Sequence, residues 1–283
     1  MRNFRRFLIL GAVLVAIHAQ DKPKSPPLTE REKALNERVV HLRSLPDDAW
    51  TKEVGELARE IQQLQFSTGK QSLVDGLSMQ VTEGDAGSTT LQVVADTIVQ
   101  VVSALPANRS DFLADRLARL ARYEHVKVAS NNPHYLAAMA KLEAGDQDRQ
   151  AVEFTLSDLK GRKWTLRDLR GKVVLVNFWA TWCPPCRREM PDMQALYERF
   201  SPQGLVILAI SNEAAGTVEP FIAAQKYSYP ILLDPEGAVG KRFDAEGIPQ
   251  SFVYNRDGKL VAQAMDRRTL GQFLGMLKRA GLE

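Results

Sequence analysis

The chain has 283 residues, enough for two domains that each bury a core, and at 45% hydrophobic and 25% charged it has a soluble globular composition. Its formal net charge of +3 is too small to support nucleic-acid binding, and no basic stripe stands out. Only two cysteines and four histidines are present, and no second Cys/His pair completes a structural zinc site.

At the N-terminus, Arg2, Arg5 and Arg6 precede an apolar run from Phe7 to Ile17, and Ala19 offers a small residue for cleavage. This is the layout of a secretory signal peptide over residues 1–19, so export to the periplasm or cell envelope is expected. The run is about half of the roughly 20 residues that span a bilayer, and uncleaved anchoring is the alternative. No cysteine follows it, which excludes lipidation at that point. Residues 20–28, rich in Lys and Pro, read as an extended linker.

From 29 to 148 apolar residues recur at three- and four-residue spacing, which predicts an all-helical domain. Thr29 and Glu32 form a capping box for a helix to about Leu45. Pro46 opens a second helix to about Gln65, and further helices are predicted over 70–82, 89–104, 110–124 and 133–144. Breaks fall at 84–87, at Pro106 and at 131–133. No consensus repeats at a fixed period, so an irregular bundle is expected rather than a solenoid. Trp50, Tyr123, His125 and Tyr135 show no catalytic spacing. Partner or substrate recognition, a dimer contact and a spacer are the competing roles, with recognition preferred.

After Gln150 the pattern changes. Residues 154–156 and 163–166 flank Lys160-Gly161-Arg162 and predict a short hairpin. Residues 172–179 form a nearly continuous apolar run, as in a strand covered on both faces. A helix over 184–200, a strand over 205–211, a helix over 218–227 and a strand over 231–233 follow. A short helix at 238–243, a hairpin of 251–254 with 260–264 and a last helix from Thr269 complete residues 151–283 as an α/β layered domain.

Cys183 and Cys186 lie in the run Trp182-Cys183-Pro184-Pro185-Cys186-Arg187. A disulfide closing so short a loop removes little unfolded-chain entropy, so the pair reads as chemistry rather than reinforcement. It falls where a buried strand gives way to a helix. The helix N-terminus favours an anion there, so Cys183 is the candidate thiolate and accessible nucleophile, and the more buried Cys186 its resolving partner. Pro184 suits the first helical turn. Covalent haem attachment needs His after the second Cys, and Arg187 stands there instead. Pro249, in Gly247-Ile248-Pro249, stands just before a strand; on its own it reads as an ordinary trans loop proline.

Residues 173–191, 208–213, 229–237 and 247–261 together resemble the thioredoxin-fold TlpA/ResA/DsbE-like branch of thiol–disulfide oxidoreductases. The resemblance covers slightly under half the chain. It implies a central mixed sheet flanked by helices, preceded here by the all-α domain, and no cofactor beyond the Cys183–Cys186 redox pair. It assigns a cis peptide to Pro249 and the active-site acid to Glu189. Where classical thioredoxins carry a buried Asp, this chain has Asn177, which cannot relay a proton; a solvent-facing helix carboxylate is the plain alternative for Glu189. Trp182, Pro184, Pro185, Ile248 and Pro249 are the expected docking surface, with Trp182 shielding the nucleophile. Phe178, Trp179, Tyr227, Tyr229, Phe221, Phe243 and Phe252 read as packing residues.

The implied activity is exported, reductive disulfide exchange with protein substrates such as apocytochrome c, recharged by an electron-donating membrane thiol protein. Two alternatives stand beside it. One is a redox-sensing or Cu(I)-binding module whose helical domain holds a partner. The other is a peroxiredoxin-like peroxidase, whose usual Thr three residues before the nucleophile is Ala180 here.

Overall fold

The computed structural model describes residues 27–105, 111–245 and 247–283. The expected signal peptide (1–19), most of the 20–28 linker and the break at Pro106 lie outside them. No helix among the described residues is long and apolar enough to cross a membrane.

Among the described residues six α-helices come first: α1 (Glu30–His41), α2 (Asp47–Gln62), α3 (Thr68–Gln80), α4 (Gly87–Ala104), α5 (Asp111–Tyr123) and α6 (Pro133–Gln150). The capping box holds α1, with Thr29 Oγ1 accepting the Glu32 N–H while the Glu32 carboxylate takes the Thr29 N–H. Leu35, Leu57, Ile61, Leu73, Ile98 and Leu117 bring their apolar stripes into one core. Helix α6 continues past the expected end at 144 to Gln150. Its last turns gain partners from across the molecule: Arg149 Nε donates to Gln263 at 2.8 Å, and Gln150 accepts the Leu260 N–H at 2.6 Å. Such long-range ties leave no trace in local periodicity.

A short antiparallel pair, β1 (Thr155–Ser157) and β2 (Lys163–Thr165), stands beside the main sheet. That sheet comprises β3 (Val173–Phe178), β4 (Leu205–Ser211), β5 (Ile231–Leu233), β6 (Gln250–Tyr254) and β7 (Leu260–Ala264), in the order β5-β4-β3-β6-β7. The β5–β4–β3 ladder is parallel, while β6 and β7 run antiparallel, so the sheet is mixed. Helices α7 (Pro184–Phe200), α8 (Ala215–Gln225), α9 (Ala238–Arg242) and α10 (Leu270–Arg279) complete a thioredoxin-like domain.

Every residue of central β3 is buried, as its continuous apolar run requires. Alternation sends Val173 and Leu175 into the core shared with α7 and α10, and Val174, Val176 and Phe178 into the opposite core with Phe243 and Phe252. By the same parity Asn177 faces α7, the only polar residue on this strand. The turn between β6 and β7 closes with the Gly258 N–H on the Asn255 carbonyl at 2.8 Å, Gly258 taking a positive φ that a side chain would disfavour.

The two halves are packed together. Arg149 is buried between them, bonded to Asp146, Tyr123 and Gln263. Met265 packs against both the helical core and one core of the α/β half.

Candidate active site

Helix α7 starts from the C-terminal end of β3, at the middle of the sheet. Cys183 is its N-cap and Pro184 occupies the first turn, where a missing N–H costs nothing. The Cys186 N–H donates to Cys183 Sγ at 3.2 Å, so the helix does aim a donor at this sulfur. The two sulfurs are bonded to each other at 2.08 Å. Upstream, Thr181 donates its N–H and its hydroxyl to the Glu213 carboxylate, at 2.6 and 2.7 Å, and this clamps the segment entering the dithiol. Glu213 lies in a stretch that carried the family resemblance, yet nothing in its sequence setting pointed to a clamp.

The expectation of an accessible Cys183 is corrected for the disulfide form, in which the residue is only 2% exposed and Cys186 is fully buried. The cause is packing: Cys183 joins the apolar cluster of Trp179, Ala180 and Met190, and its sulfur sits 3.8 Å from the Ile248 carbonyl oxygen. Trp182, expected to shield the sulfur, is 68% exposed and instead lines a cleft of about 540 Å³ with Trp179, Ile210, Asp234, Ala245 and Ile248. Pro184 is exposed, Pro185 and Ile248 are half-buried, and Pro249 is buried, with the Ile248–Pro249 peptide cis. Arg187 lies over the Phe221 ring, 5.7 Å from its centre.

Glu189 is not a solvent-facing carboxylate. It is 1% exposed, three residues beyond Cys186 on the same helix. Its Oε1 accepts from Asn177 Nδ2 at 2.8 Å, and its Oε2 accepts the Arg268 N–H at 2.9 Å. Burial pushes its carboxyl up from 4.5 to about 7, against those two hydrogen bonds and the charges of Arg268 and Arg267. Asn177 also donates to Ser251 at 3.0 Å, while its own Oδ1 has no partner. An amide offers either a donor or an acceptor, so Asn177 can serve both the carboxylate and the acid. Among the described residues no group of three or more His, Cys, Asp or Glu could hold a metal ion.

A bonded cysteine pair capping a helix, with a buried acid one turn on, defines a thioredoxin-fold site for thiol–disulfide exchange. Comparison with known proteins agrees. Residues 148–263 match the AhpC/TSA family. The thiol-disulfide oxidoreductase ResA of Bacillus cereus is 34% identical over 146 residues, 51% of this chain and 83% of that protein. ResA of Bacillus subtilis is 36% identical over 128 residues, covering 45% and 72%. The solved thioredoxin-family thiol:disulfide interchange protein of Chlorobium tepidum is 31% identical, with a TM-score of 0.42, covering 45% of this chain and 92% of that one. The chain belongs to the ResA-type thiol–disulfide oxidoreductases, through its C-terminal half.

Proposed function

We propose that the chain is exported and reduces disulfides in envelope proteins, apocytochrome c among them, with Cys183 as nucleophile and no bound cofactor. The observation that carries this reading is the Cys186 N–H on Cys183 Sγ, a donor that would stabilise a thiolate at 183 and not at 186. In the reduced protein, Cys183 thiolate attacks a substrate sulfur, forming a mixed disulfide and releasing one substrate thiolate. Glu189 takes the proton from the Cys186 thiol, and Cys186 attacks Cys183 Sγ. The Cys183–Cys186 bond forms and the second substrate thiolate leaves. Two electrons pass to the substrate, whose two thiolates are protonated by the proton held on Glu189 and by one from water, and a membrane thiol protein returns two electrons and two protons to the dithiol.

The Ile248 carbonyl beside Cys183 supports docking of an extended substrate segment along the Ile248–Pro249 edge, and the Trp182 cleft supports an apolar side chain next to it. For a peroxidase, the residue that would orient peroxide is Ala180, which is buried and has no hydroxyl. The test is turnover of a protein disulfide with a dithiol donor: C183S loses it and wild-type consumes no peroxide at a catalytic rate. Full turnover by C183S would remove the assignment.

A further inference from the structure

The segment Asp266–Thr269 links β7 to α10 and passes behind Glu189. Together with the first turn of α10, it is tied to the helical half at four points. Arg267 makes a two-pronged bond to Asp47 of α2, at 2.9 and 2.6 Å. Arg268 pairs through Nη2 with Glu124, just past α5. Asp266 accepts from the Thr82 hydroxyl at 2.5 Å, and Gln272, in the first turn of α10, donates to the Gly84 carbonyl at 3.3 Å. Both arginine side chains are buried. Two buried guanidiniums in one connection carry a heavy desolvation cost, which plain domain adhesion does not require.

We propose that the helical half is a positioning element for the redox site, pinning Arg267 on Asp47 and Arg268 on Glu124 so that the Arg268 N–H stays on the Glu189 carboxylate. This rests on the reading of Glu189 as the proton-handling group. The groups that act on Glu189 are Asn177 from β3, Tyr229 ahead of β5, and Arg267 and Arg268 from this segment, with Cys186 three residues before it on the same helix. Of these, the segment supplies every positive charge and the only backbone donor. A hydrogen bond to the charged form favours it, so the docked helices keep a buried acid able to ionise near neutral pH.

The measurement is an infrared pH titration of the protonated carboxyl band of Glu189 in the oxidised full-length protein, the band being identified by its loss in E189Q. In R268A/E124A both charges leave together, the least disruptive way to cut the tie. The expected result is a midpoint raised by about one pH unit; because R268A also removes a positive charge near Glu189, the loosened hydrogen bond is read from exchange of the position-268 amide, and exchange no faster than in wild-type overturns the proposal. Amide exchange at position 268 should quicken at least about tenfold, as local opening becomes easier. An unchanged or lowered midpoint overturns the proposal while leaving the role of Glu189 standing. If no titrating band is lost in E189Q, Glu189 does not ionise in this range, which overturns its role and the proposal with it. R267A/D47A, which cuts the other tie, is read in the same way should the first variant not fold.

Discussion

At the scale of single residues, Glu189 carries the clearest pH signature. Its carboxyl sits at about 7 in the folded protein against an ordinary 4.5, so between those values the native state holds a proton that the unfolded chain has released. Native protein binding more protons means stability falls as pH rises through that window, and levels off above it. The loss amounts to about 3 kcal/mol, at about 1.4 kcal/mol for each pH unit separating the folded and unfolded values. Denaturant unfolding at a series of pH values should show this decline in wild-type and lack it in E189Q; equal declines would mean other groups cause it. Glu213 offers a second prediction. Removing the carboxylate in E213A frees Thr181 and slows reaction of the disulfide with a small dithiol several-fold, with little effect on the midpoint of unfolding.

At the scale of elements, the segments that organise the site follow local rules. Helix α10 is capped by Thr269, whose hydroxyl accepts the Gln272 N–H while the Gln272 side chain takes the Thr269 N–H. T269A should cost about 1 kcal/mol of stability in denaturant unfolding; no change would mean the cap is idle. Much of this architecture was legible in the sequence because its signals are local. The apolar run of β3 is too continuous for a one-sided strand, Cys183-Pro184 starts a helix, and Thr29 and Thr269 mark two more starts. What stayed hidden depends on contacts between distant residues. The end of α6 at Gln150, the Glu213 clamp and the burial of Cys183 are decided by partners 32 to 114 residues away. Glu189 falls between these cases: family resemblance singled out the residue, but only the packing of β3 and the Arg268 segment around α7 shows why its carboxyl is held near neutrality.

At the scale of the whole molecule, the helical half is joined to the catalytic half through unequal ion pairs. Glu124 is 12% exposed and its loss leaves the buried Arg268 guanidinium without its direct ion-pair partner, so E124A should cost about 3–5 kcal/mol. Asp47 is 55% exposed, so water can replace it and D47N should cost under about 1 kcal/mol. Calorimetry on both variants checks the contrast, and similar losses would contradict this ranking of the two ties.

Which sulfur attacks is tested most directly by trapping. Reduced C186S and C183S proteins are each mixed with an oxidised protein substrate, and the adducts are resolved by non-reducing electrophoresis and mass spectrometry. A stable adduct on Cys183 in C186S and none in C183S is expected, because of the two cysteines only Cys183 has the helix N–H aimed at its sulfur. An adduct on Cys186 in C183S, formed as fast as that on Cys183, would contradict it.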